Sequence, residues 1–189
     1  TFVERDEIKP EHFAKWMKWA KERGVALDFN PTYFAHPKST DRGTLSCADE
    51  ETRKFWVRHG IACRKIGQYF AEQQGSKCII NHWTPDGDKE VPFDTLAPRM
   101  RLKQSYDEIF AATEDCKDVM DGIESKVFGI GVESYTVGSH EFCMGYVMNA
   151  HKDHIIMTLD AGHYHPTETV SAKLSGIYTF SDHVLLHVT

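Results

Sequence analysis

Apolar positions along the chain switch repeatedly between two spacings. Over residues 10–23, Phe13, Trp16, Met17 and Ala20 recur three to four apart with lysines between them, which predicts an amphipathic helix stopped by Gly24. Residues 25–29 read as a short strand. A loop rich in turn formers follows, through Asn30, Pro31, Pro37 and Gly43. Phe55, His59, Ala62, Ile66 and Phe70 return to helical spacing, and Gly75 ends that helix. Residues 78–81 predict the next strand. A second Pro, Gly and Asp loop leads to a long helix from about Ala97-Pro98, carrying Leu102, Tyr106 and Ile109. Residues 124–132 predict a third strand with Gly129 and Gly131 inside it, and 139–149 a further helix. Residues 155–160 predict a fourth strand, Pro166 suits the first turn of a helix running to about Tyr178, and 184–188 predict a fifth strand.

Alternating helices and strands of this kind imply an α/β protein with a parallel sheet. The strand runs do not alternate cleanly with polar residues, as expected when both faces are buried. Polar residues gather instead at the strand C-termini, the edge where a (β/α)8 TIM barrel builds its site and which an open doubly wound sheet also uses. Five strands do not close an eight-stranded barrel. Either the sheet is open or the chain is a piece of a longer protein. Because it begins in a helix and ends on a strand with no helix after it, the expectation is about five consecutive α/β units of a barrel, with residues 1–189 forming a single domain because no linker or composition shift interrupts them.

Composition narrows the function. The charge is mixed with a net of −6 and no run of like charge exceeds a few residues, a balance that argues against a nucleic-acid binder, which would carry a basic face. No stretch approaches the roughly 20 apolar residues that span a membrane. The opening Thr-Phe-Val-Glu-Arg-Asp is unlike a signal peptide. Five cysteines (Cys47, Cys63, Cys78, Cys116 and Cys143) are odd in number and lack CxxC spacing, so they read as small buried hydrophobes in a reducing cytosol. Eleven histidines are many. His12 and His59 fall on helices and read as surface or boundary residues. His82, His163, His165 and His187 fall in or just after strands, where a polar ring needs a partner or a metal.

Glu124 and Lys126 are two apart on a predicted strand and so share a face, either as a carboxylate and an ammonium in one site or as a salt bridge. Asp160 and His163 form a D-x-x-H turn directly after an apolar run, beside Gly162. His187 is the polar residue in Val-Leu-Leu-His-Val, a site residue or a satisfied core histidine. Together Glu124, Asp160, His163 and His187 offer oxygen and nitrogen ligands without thiolate, which favours Mn, Co, Mg or Zn in an open catalytic site over a structural cysteine zinc. Asn81, Trp83 and Asp86 end another strand. An aromatic wall beside polar groups suits a sugar, although Trp83 also fits ordinary core packing, and His36 in Tyr-Phe-Ala-His-Pro could serve likewise. His165 could simply cap the helix that Pro166 opens. No dinucleotide fingerprint, P-loop, G-x-S-x-G or H-E-x-x-H motif occurs.

With these residues in view, the chain resembles the L-rhamnose isomerase family. The likeness runs in order through Leu27-Asp-Phe-Asn-Pro and Phe34-Ala-His-Pro, then Asn81-His-Trp-Thr-Pro-Asp-Gly and Leu96-Ala-Pro-Arg-Met-Arg-Leu. It continues through Glu124-Ser-Lys-Val-Phe-Gly-Ile-Gly-Val-Glu-Ser-Tyr-Thr-Val-Gly-Ser, Asp160-Ala-Gly-His-Tyr-His-Pro-Thr-Glu and Leu185-Leu-His-Val. The resemblance implies a (β/α)8 barrel related to xylose isomerase, tetrameric and cytosolic, that interconverts L-rhamnose and L-rhamnulose by a hydride shift. It implies two divalent metals, typically manganese (Mn2+). Carried over, Glu124, Asp160 and His187 look like ligands of one ion, and His163 of the second, catalytic ion near Asp160. Lys126 matches a lysine that contacts the sugar near its reacting carbonyl. Trp83 and His36 match substrate-site positions.

One departure stands out. The family places an aspartate pair, spaced D-x-D, after the strand holding His187, and a further aspartate on a later strand; all three fall beyond Thr189. The expectation is that these 189 residues by themselves are weakly active or inactive. Competing readings are an isomerase for another aldose, a metal-dependent phosphodiesterase, disfavoured by the acidic charge, and a piece that only associates with itself or with the rest of an enzyme.

Overall fold

A computed structural model describes residues 3–40, 43–126, 135–150 and 153–188. Two short 3-10 turns, Arg5–Glu7 and Pro10–Phe13, lead into helix α1 (Ala14–Arg23). Its buried face is Met17 and Ala20, while Trp16 is exposed and stands edge-on to Trp19, contrary to the helical-face expectation. Helix α2 (Glu50–Gln74) begins at Asp49, whose carboxylate accepts the Thr52 N–H, and carries Glu50 and Glu51 in its first turn. Gly24 and Gly75 end α1 and α2 in the left-handed region.

The sheet is built from β1 (Cys78–Trp83), β3 (Val119–Glu124), β5 (Ile155–Asp160) and β6 (Val184–His187), all parallel and in that order. A two-stranded antiparallel pair, β2 (Gly87–Asp88) with β4 (Tyr135–Thr136), lies beyond its C-terminal edge in sequence. Helices α3 (Leu96–Ala111), α4 (His140–Ala150) and α5 (Ala172–Tyr178) make the crossovers.

The register divides the strand residues into two faces. Ile80, Asp121, Ile123, Ile155, Met157 and Leu159 face the helices, where most of the aliphatic ones join one core with Tyr33, Trp56, Leu102, Tyr106, Ile109 and Phe110. The opposite face carries Asn81, Trp83, Gly122, Glu124, Thr158, Asp160 and His187. Both faces are largely buried, but the inner one is polar towards the strand ends.

Among the described residues four parallel strands form the sheet rather than five, and the differences have local causes. Residues 25–29 run beside β1 without becoming a strand. Phe29 N–H donates to the Ile79 carbonyl, yet the Ile79 and Asn81 N–H groups are taken by the side chains of Asp28 and Asn30 in place of main-chain carbonyls. Glu124 closes its strand instead of opening it. Asp121 and Gly122 look like turn formers, but Asp121 is neutralised by Arg64 and Gly122 sits opposite Asn81; residues 127–134 of the predicted strand lie outside the described residues. Helix α5 starts six residues after Pro166, because turns closed by Glu168 N–H to the His165 carbonyl occupy the interval. His59 is buried, not a boundary residue: its ring meets the Arg5 carbonyl (2.9 Å) and accepts the Thr32 N–H (3.2 Å). The five cysteines are free and buried.

Candidate metal centre

The inner face ends in a cluster that strand register assembles. Glu124 ends β3, Asp160 ends β5 and His187 ends β6, and Asp160 pairs directly with His187. His163 follows in the 3-10 turn Ala161–His163, which Asp160 caps by accepting the Gly162 N–H. Glu124 Oε1 lies 3.3 Å from His163 Nδ1 and 3.4 Å from His187 Nδ1. Asp160 Oδ2 lies 3.5 Å from His187 Nδ1 and 3.9 Å from His163 Nε2.

Glu124, Asp160 and His187 each offer one ligand atom within 4.8 Å of the others, a spacing one divalent cation can bridge. Two carboxylates and an imidazole at a half-open strand edge fit a hard or borderline ion with room for substrate. Burial pushes the Glu124 carboxyl above its usual range, opposed by the Asn81 amide, His163 and His187. Such a carboxylate gains from any added positive charge. His163 Nδ1 also lies 3.1 Å from the Ser125 carbonyl. Donation there would leave the Nε2 lone pair free, on the side towards Asp160.

These groups line a cavity of about 580 Å3 together with Asn81, Trp83, Lys126, Phe34, Pro85 and the segment Asn30–Thr32. Trp83 is its wall: Lys126 Nζ lies 5.4 Å from the ring centroid, Phe34 stands edge-on at 5.3 Å and the His163 ring lies tilted at 33° with its centroid 5.9 Å away. Lys126 follows β3 rather than lying on it, and its side chain is buried. The Trp83 indole N–H has no partner among the described residues.

Three residues stand elsewhere. His36 is outside the cavity, paired with Glu4 at 2.9 Å and stacked on Phe55. Between it and Phe34, Ala35 has a φ of 53°, and the Arg5 guanidinium binds the carbonyls of Thr32, Phe34 and Ala35. Asp86 is buried under Thr44 and Ser46, accepting from the N–H and hydroxyl of each. His82 points to the helices, between Asp121 (2.9 Å) and the Tyr33 hydroxyl (3.1 Å). Sequence reasoning missed Phe34 and the Ser125 carbonyl; the one signal for Phe34 was its place two residues before His36.

The model of one protein family, L-rhamnose isomerase (RhaA), matches residues 1–189. The chain belongs to the L-rhamnose isomerase family. An L-rhamnose isomerase of Rhodopirellula baltica is 52% identical over 187 residues, and one of Mannheimia succiniciproducens is 51% identical. Each comparison covers 99% of this chain, which spans only 43% and 44% of those relatives' lengths. Among solved structures, a D-tagatose 3-epimerase-like protein superposes with a TM-score of 0.67 at 16% identity, over 95% of this chain and 61% of that one. An L-ribulose 3-epimerase gives 0.65 at 14% identity, over 92% and 54%. These likenesses bear on the fold alone: the sheet of this family member is a contiguous part of a TIM-barrel architecture. No helix among the described residues is long and apolar enough to cross a membrane.

Proposed function

We propose that this chain serves a metal-dependent aldose–ketose isomerase that interconverts L-rhamnose and L-rhamnulose. The observation that carries the reading is the convergence of Glu124, Asp160, His163 and His187 on one aromatic-walled cavity in a chain of this family. Both curated relatives bear that activity in their names.

Glu124, Asp160 and His187 would hold one cation, and His163 with Asp160 would contribute to a second. Manganese is the metal of this reading, with Zn2+, Co2+ and Mg2+ as alternatives, and the bound ions would supply Lewis acidity towards the sugar oxygens at C1 and C2. The overall change moves a hydrogen with its electron pair from C2 to C1, while O2 loses a proton and O1 gains one.

The chain's own residues supply position and charge. Lys126 keeps its ammonium near the Trp83 ring, and fixed positive charge there stabilises an oxygen that becomes alkoxide-like. Trp83 and Phe34 exclude water from one side and pack on the apolar face of the sugar. His163 turns Nε2 to the substrate side if Nδ1 donates to Ser125. His36 acts in this reading through the loop it shares with Phe34. The proposal includes a homotetramer located in the cytoplasm, with a small sugar as its ligand and neither nucleic acid nor membrane as partner. Residues 1–189 are read as one domain, the central portion of the barrel.

The test is L-rhamnulose formation from L-rhamnose with Mn2+, with and without a chelator, in the wild type and in Glu124→Gln. Chelator-sensitive turnover that Glu124→Gln abolishes supports the reading. Mn2+ binding without turnover would confine residues 1–189 to holding the cation. Absence of Mn2+ binding would overturn the metal assignment.

A further inference from the structure

We propose that Asn81 is a positioning residue for the candidate cation site: its amide holds one oxygen of Glu124 and thereby aims the other at His163 and His187. The geometric part stands on its own, and its consequence for metal binding rests on the reading above.

Asn81 Nδ2 donates to Glu124 Oε2, while Oε1 faces the two imidazoles at 3.3 and 3.4 Å. A glutamate has three side-chain torsions, and a contact on one oxygen alone leaves the carboxylate free to swing. The second anchor from β1 removes that freedom. Asn81 is a neutral donor, so it fixes the carboxylate without competing with a cation for its charge, as a lysine would.

The surroundings of Asn81 are built for this reach. It pairs across the sheet with Gly122, whereas Glu124 pairs with Trp83, so the Asn81 side chain must pass over position 122 to meet Glu124. A Cβ on Gly122 would lie 3.2 Å from Asn81 Oδ1 and 2.3 Å from Thr158 Oγ1. Asn81 and Thr158 are both buried, and these two oxygens have no hydrogen-bond partner among the described residues. Leaving an amide oxygen unpaired in the interior is costly, and a leucine of similar volume would avoid it. The amide is explained by its Nδ2 donor.

The experiment measures Mn2+ affinity by calorimetry and the Glu124 orientation in metal-free crystals, for wild type, Asn81→Leu and Asn81→Asp. Asn81→Asp keeps shape and volume but replaces the donor by an acceptor, so it decides the matter if Asn81→Leu misfolds. Thr158→Val, at the β5 position opposite Glu124 but with no hydrogen bond to its carboxylate, serves as the control for a change beside Glu124 that leaves the Asn81 anchor in place. Expected is a Mn2+ affinity about 10- to 100-fold weaker in both Asn81 variants and unchanged in Thr158→Val. The metal-free Glu124 carboxylate is expected to turn away from His163 and His187 in the Asn81 variants. An unmoved carboxylate with wild-type affinity would overturn the inference. If wild type itself binds no Mn2+, the metal reading falls, and the metal-free carboxylate orientation still decides whether Asn81 positions Glu124.

Discussion

Replacing Arg64 by methionine should destabilise the fold by about 3–5 kcal/mol, because it strands a fully buried carboxylate. Asp121 sits in the middle of β3 on the helix-packed face, with no measurable exposure. Its Oδ1 receives Arg64 Nε at 3.0 Å and His82 Nε2 at 2.9 Å. Among the described residues its Oδ2 has only Arg64, which donates from Nε at 3.2 Å and brings Nη2 to 3.0 Å as an ion-pair contact without hydrogen-bond geometry. The guanidinium also donates to the Thr113 carbonyl and hydroxyl and lies over the Phe110 ring. Arg64→Met keeps much of the stem's packing but removes every donor to Oδ2 and one of two to Oδ1. The loss is a large fraction of the roughly 5–15 kcal/mol that holds a typical domain together. Urea unfolding followed by circular dichroism measures it as a lower midpoint at unchanged slope. The double variant Arg64→Met with Asp121→Leu carries no stranded charge and should recover most of the loss. A single-variant cost below about 1 kcal/mol, or a double variant no better than the single, would falsify the claim that this pair anchors α2 to β3.

Two further outcomes concern stability. Burial pushes His59 down from 6.5 to about 4, so the folded state keeps the ring neutral while the unfolded chain protonates it. The resulting contribution is fully present above pH 6.5 and is lost as pH falls towards 4, about 3 kcal/mol in all. Comparing urea midpoints at neutral and acid pH for wild type and His59→Gln isolates it; parallel pH profiles would refute it. Gly60→Ala places a Cβ 2.5 Å from Ile109 Cδ1 and 2.9 Å from the Tyr33 hydroxyl, both in the core. Overpacking of about 1–3 kcal/mol exceeds the helix-propensity gain of about 1, so melting should drop, with partial rescue by Ile109→Val, which removes the clashing methyl. A melting temperature at or above wild type would count against that close approach.

The sequence by itself determined most of the helix and strand order and which residue types stand as candidate ligands. Helix periodicity with Gly24 and Gly75 as stops, and the compact run 155–160, depend on local rules of backbone and side-chain spacing, and those elements lie where the pattern put them. The motif stretches likewise carried the family and the types of candidate ligand. Tertiary structure decided whatever depends on partners distant in sequence. Residues 25–29 lose their strand to the side chains of Asp28 and Asn30, a competition invisible in an apolar run. Asp121 reads as a turn former until Arg64, 57 positions earlier, neutralises it and lets β3 run on to Glu124. Phe34 faces the cavity and His36 does not, because the Arg5 guanidinium and the Ala35 backbone turn the loop between them. Spacing along a chain fixes which face a residue takes within its own element; only packing between elements fixes which of those faces meet, and so which carboxylates and imidazoles share one cavity.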